Sequence, residues 1–186
     1  MIPVRRIHGR AYPLGRDNID TDAIIGAEHL KTVSRAGLGR FAFEALRGEP
    51  GNVFDAGAFA RAPILIAGAN FGCGSSREHA AWALADLGVR AVVATSFSDI
   101  FAANAYKNAI VTVELERAKV DRLMAIALER PITIDLEAMS VAAAGAHFTF
   151  ALDPFRRQCL LEGLDEIALT SASEPAIRAY ELRRGI

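Results

Sequence analysis

The sequence P-I-L-I-A-G-A-N-F-G-C-G-S-S-R-E-H-A, residues 63–80, is an apolar run, a glycine-rich turn and the opening of a helix in succession. Ile64, Leu65 and Ile66 do not alternate with polar residues, which predicts a strand buried on both faces. Gly68, Gly72 and Gly74 admit backbone conformations closed to other residues and allow a ligand to come close. Ser75-Ser76-Arg77-Glu78 has the S-x-x-E spacing of a capping box, which predicts a helix from Ser76 to Leu87, with Gly88 just past its end. A helix start presents unpaired N–H groups and a partial positive charge, and Arg77 adds a planar fork suited to a carboxylate. The segment therefore predicts an anion site at a strand–turn–helix junction, where ligands of open α/β sheets bind.

The same alternation continues outward from this junction. Ala91 to Ala94 is a wholly apolar strand, and S-F-S-D-I-F-A-A-N-A-Y-K-N is a helix capped by Ser98 or Ser96. Ile110 to Val113 is a further strand and Arg117 to Leu128 an amphipathic helix. Repeated strand–helix units with apolar strands predict a largely parallel sheet covered on both faces. After Pro131 the pattern changes. Ile132–Leu136, Met139–Ala142 and His147–Leu152 read as short antiparallel strands, and helices over 153–162 and 173–182 follow. Toward the N-terminus, Val4 to Tyr12 reads as one opening strand, 26–30 as a helical turn and 41–47 as a short helix. The expected fold is α/β with a β-rich annex, and no linker divides residues 1–186.

With 52% hydrophobic and 23% charged residues and a net charge of −1, the chain has the composition of a globular protein, with no nucleic-acid or membrane-surface bias. Cys73 and Cys159 form no C-x-x-C pair, and His8, His29, His79 and His147 are dispersed, so no metal site is expected on this chain. The opening M-I-P-V-R-R-I-H-G-R lacks a signal peptide's apolar core, and no run would span a bilayer, which points to the cytoplasm and reduced thiols.

Known motifs do not match the turn. It contains no G-x-S-x-G elbow, no G-x-G-x-x-G and no Walker lysine. Asp17, Asp20 and Asp22 lack the glycine and terminal glutamate of a calcium loop, and such acids most often satisfy a turn's backbone. Ser75 could serve as a nucleophile, as a base if ionised, or only as a helix cap. On residues alone, the turn is a site for an anionic small molecule.

The run N-F-G-C-G-S-S-R-E-H-A resembles the signature of the swivelling domain in the aconitase superfamily. Further matches are G-R-A-Y-P-L, D-N-I-D-T-D-A-I-I, A-W-A-L-A-D-L-G-V-R, S-F-S-D-I-F and D-P-F-R-R-Q-C-L-L-E-G-L-D-E-I. Together they cover nearly the whole chain and are similar to the separate small subunits of bacterial isopropylmalate dehydratases. The resemblance implies a single swivelling β/β/α domain and a hydro-lyase that moves the hydroxyl of 2-isopropylmalate by dehydration and rehydration in leucine biosynthesis. It implies a large partner subunit, in a heterodimer or heterotetramer, whose three cysteines carry a [4Fe–4S] Lewis acid. Carried over by position, Ser75 is the alkoxide base, Arg77 its electrostatic partner and a substrate contact, Ser76 a hydrogen-bonding neighbour, and Asp22 an orienting acid. The segment from Glu28 to Thr32 falls where relatives choose between an apolar substituent and an extra carboxylate. Lys31, and Arg35 a few residues on, therefore either point to solvent or meet a substrate's third carboxylate. Homoaconitate, citramalate or dimethylmalate hydro-lyases, and a non-catalytic carboxylate-binding module, are the competing readings. Gly26 stands where many relatives have Pro, and Ala109 where Gly often follows K-N.

Overall fold

The computed structural model describes residues 1–185. Its centre is a parallel sheet of β2 (Ala11–Pro13), β3 (Ile64–Ile66), β4 (Ala91–Ala94) and β5 (Val111–Glu114), paired in that order. Side chains alternate to opposite faces along a strand. Leu65, Val92 and Ala94 accordingly join one core with Tyr12, Phe71 and Phe101, while Ile64, Ile66, Val93, Val111 and Val113 join a second. The sheet is thus buried on both faces, which accounts for its unbroken apolar strands.

Helices α3 (Glu78–Leu87) and α4 (Asp99–Lys107) connect successive strands and cover the first face with Ala80, Ala81, Leu84, Phe101 and Ala105. Strands added in sequence order require every crossover to lie on the same side, so these two helices share a face. Helix α5 (Arg117–Ala127) covers the other face with Val120, Leu123 and Ala127. The second core continues into an antiparallel sheet in the order β1 (Arg6–Gly9), β6 (Ile132–Asp135), β7 (Ser140–Ala143), β8 (Ala146–Thr149). Ile7, Ile132, Ile134 and Val141 of that sheet close the core. The remaining α-helices among the described residues are α1 (Thr21–Ile24), α2 (Glu44–Arg47), α6 (Pro154–Glu162), α7 (Glu166–Ala172) and α8 (Glu174–Arg184). Among the described residues no helix is long and apolar enough to cross a membrane.

The α/β architecture and its annex match the sequence reading, with three corrections. The opening run is two strands, because the chain leaves the antiparallel sheet at Gly9 and enters the parallel one at Ala11. A Cβ on Gly9 would stand 2.7 Å from the Pro63 ring, so glycine is required where the two sheets separate. Helix α7 was not anticipated, although Asp165 caps it by accepting the Ala168 N–H at 2.8 Å. The third correction is at the Ser75 turn.

Candidate functional site

The glycine-rich segment continues β3 past its hydrogen-bonded end and runs between two other segments. On one side Gly68 N–H donates to Arg16 O (2.8 Å), Asn18 N–H to Ala69 O (2.8 Å), Gly72 N–H to Ile19 O (2.7 Å) and Thr21 N–H to Cys73 O (3.0 Å). On the other, Phe71 N–H donates to Ser96 O and the Phe71 carbonyl accepts from Ser98 N–H, each at 3.0 Å. The aspartate-rich segment therefore lies alongside the turn for its whole length.

The glycines are needed for internal packing. A Cβ on Gly68 would collide with the Asp17 carboxylate, and one on Gly72 with the Phe101 ring. Gly72 (φ 76°) and Gly74 (φ 89°) also occupy the left-handed region that favours glycine. At Gly68 and Gly72 the close approach is that of neighbouring segments of the chain itself, whereas a Cβ on Gly74 would meet nothing nearer than 3.4 Å.

The capping box does not form. Helix α3 begins at Glu78 after Arg77, with no side-chain cap, and Ser75 lies two residues before that boundary. Ser75 is held by its backbone instead: its N–H donates to Thr21 Oγ1 (3.2 Å) and its carbonyl accepts from Arg77 N–H (2.9 Å). Glu78 turns away from Ser75 and accepts from Trp82 Nε1 (3.0 Å) and Asn108 Nδ2 (3.1 Å). Burial works against its charge, but these two bonds and the cations Arg35 and Lys107 keep its carboxyl below the ordinary glutamate value. Freed from capping, Ser75 and Ser76 are exposed at the carboxyl end of β3.

The three aspartates have separate tasks. Asp20 caps α1 by accepting the Ala23 N–H at 2.7 Å. Asp17 accepts the Ala69 N–H at 2.7 Å and pairs with Arg117 at 3.0 Å. The Ala69 bond, more than Arg117, holds the Asp17 carboxyl below its usual range. Asp22 ion-pairs with Arg77 Nη1, and the Arg77 side chain is only 24% exposed. That pair fixes one edge of the guanidinium and leaves the rest of the fork for a ligand.

Ser75, Arg77 and Asp22 are thus brought together, with Ser76 adjacent. Lys31 and Arg35 are not. Lys31 lines a separate pocket with Glu28, His29 and Phe41. Arg35 lies over the Trp82 ring at 5.1 Å and reaches Glu78 at 3.7 Å. Sequence reasoning missed Thr21, buried to 2%, whose hydroxyl holds Ser75. Its place between two aspartates was the available signal. It also missed the convergence of Glu28, His29 and Glu44, where His29 Nε2 lies 2.7 Å from Glu44.

The profile of the aconitase C-terminal domain family matches residues 1–118. A 3-isopropylmalate dehydratase small subunit from Novosphingobium aromaticivorans is 59% identical over 184 residues, covering 98% of this chain and 91% of that protein. This chain belongs to the 3-isopropylmalate dehydratase small-subunit family. Another member, from Zymomonas mobilis, is 56% identical over 182 residues, covering 97% of this chain and 95% of that one. The solved structure of a 3-isopropylmalate dehydratase from Methanocaldococcus jannaschii is 24% identical and superposes with a TM-score of 0.69 over 94% of this chain and 99% of its own. It shares the fold of this small-subunit family member.

Proposed function

We propose that this chain is the small subunit of a hydro-lyase that interconverts 2-isopropylmalate and 3-isopropylmalate in leucine biosynthesis, with Ser75 as the base. The observation that carries this reading is the exposed Ser75, backbone-anchored to Thr21 and set two residues from an arginine already oriented by Asp22. A serine hydroxyl abstracts a proton only if its alkoxide is stabilised, and preorganised donors provide such stabilisation. In this proposal Arg77 is that donor, and its fork can also clamp a substrate carboxylate. Ser76 supplies a further hydrogen bond to the substrate, and Asp22 keeps the guanidinium in register.

Among the described residues the two cysteines are not placed to hold an iron–sulfur cluster. Cys73 lies in the turn, whereas Cys159 is buried in α6 beside Tyr106, so the thiols are not gathered into one set. In this proposal a large subunit contributes a [4Fe–4S] Lewis acid, in a heterodimer or higher assembly. The exposed position of Ser75 and Ser76 supports completion of the site by a second chain.

Among related substrates, those with a third carboxylate need an additional cation at the turn. Lys31 lines a pocket that contains neither Ser75 nor Arg77, and Arg35 lies against Trp82 and Glu78, which favours the apolar isopropyl substituent over homoaconitate-type acids. The test is reconstitution with the large subunit and assay on isopropylmalate, citramalate, dimethylmalate and homocitrate-type acids. Isopropylmalate should turn over fastest, and Ser75→Ala should reduce kcat by about 10²- to 10⁴-fold, the usual contribution of a general base. A variant with near wild-type kcat would remove Ser75 from the chemistry, and preference for a tricarboxylate would overturn the substrate assignment.

A further inference from the structure

A cavity of about 420 Å³ opens between the N-terminal segment and the residues that lead into β4 and β5. Its charged lining has one sign: Arg5, Arg6, Arg35, Arg90 and Lys107 contribute, and no carboxylate does. Ile2, Val4 and Ile7 supply aliphatic surface to the same cavity.

The counter-ions of these cations lie outside the lining. Arg5 pairs with Glu137, Arg6 with Asp135 at 3.0 Å, and Lys107 with Glu166 at 2.9 Å. Arg35 has only Glu78, at 3.7 Å. Arg90 differs from the rest. Its Nη1 donates to the carbonyls of Ala85 (2.7 Å) and Val89 (2.9 Å), and among the described residues it has no carboxylate partner. Two backbone carbonyls hold the guanidinium in place without neutralising it, so its remaining N–H groups are preorganised for an anion.

We propose that this cavity binds a small aliphatic carboxylate, its head on Arg90 with Lys107 or Arg35 and its body against Ile2, Val4 and Ile7. An oxyanion without an apolar body would satisfy the cations and leave the aliphatic wall unused. Arg90 and Ala109 lie at the amino ends of β4 and β5. Ser75 and Arg77 follow β3 at its carboxyl end and do not line the cavity, whose lining residues Arg35 and Asn108 reach only as far as Glu78.

Calorimetric titration of the full chain with 4-methylpentanoate, acetate and inorganic phosphate tests the proposal. Saturable binding of 4-methylpentanoate is expected, with acetate and phosphate at least about tenfold weaker. Arg90→Gln should weaken it about tenfold or more, the loss expected of one charge-assisted hydrogen bond. Arg77→Ala should leave it unchanged. Lys107→Gln, at an exposed position, provides a second variant should Arg90→Gln fail to fold, and it should also weaken binding. No saturable binding, equal affinity for phosphate, indifference to both cavity substitutions, or loss of binding in Arg77→Ala would each overturn the proposal.

Discussion

Thr21 is buried in a largely apolar interior, and its hydroxyl accepts the Ser75 N–H. Asp20, Thr21 and Asp22 are adjacent in sequence but hold three different things: the start of α1, the backbone of Ser75 and the guanidinium of Arg77. Thr21→Val keeps the shape and removes the acceptor, at a cost of about 0.5–1.5 kcal/mol for one hydrogen bond. Because that cost falls on the placement of Ser75, the reconstituted enzyme should lose up to about tenfold in kcat with a smaller change in KM, and Thr21→Ser should restore most of it. Equal losses in Thr21→Val and Thr21→Ser, tracking stability alone, would reduce Thr21 to a packing role. The residues of the site were visible in the sequence, but their bonding was not. S-x-x-E is a local pattern, and it was overridden by a hydroxyl 54 positions earlier in the chain.

Elements were legible where the signal was local. Strands β3 to β5, helix α5 and the three strands after Pro131 follow from apolar runs and their period. The split at Gly9 and Arg10 was hidden because both halves are extended, and only pairing with different partners separates them. The end of α4 shows the reverse case, a sequence oddity with a structural reason. Ile110 N–H donates to Ala105 O (2.9 Å) and Ala109 N–H to Tyr106 O (3.0 Å), which is the Schellman pattern. Ala109 sits at its left-handed position with φ 55°, where glycine is usual. A left-handed alanine costs roughly 1–2 kcal/mol, and glycine returns part of that through its freer unfolded chain. Ala109→Gly should therefore stabilise the protein by about 0.5–1 kcal/mol, read as a higher denaturant midpoint with unchanged slope. A lower midpoint would mean that the alanine methyl packs more favourably than the strain it causes.

Across the whole molecule, the groups that tie distant segments together respond to acid in one direction. The Ala69 N–H lowers the Asp17 carboxyl, Arg16 lowers Glu49, the Ala138 N–H lowers Asp135, and the Ala168 N–H lowers Asp165. Folding favours the ionised form of each, so each contributes stability above its unfolded value, near pH 4, and loses it as pH falls through its lower folded value. These carboxylates give no slope between about pH 5 and 8, and thermal stability should drop steeply below about pH 4. Asp17 allows the origin of that drop to be tested, because it clamps the aspartate-rich segment to the start of the glycine turn and to α5. Asp17→Asn should melt lower than wild type at about pH 7, and the gap should close toward about pH 3, where the wild-type carboxyl is itself being protonated. A gap that stays constant across that range would show that the side chain acts through shape alone. The site and its scaffold would then respond to acid independently.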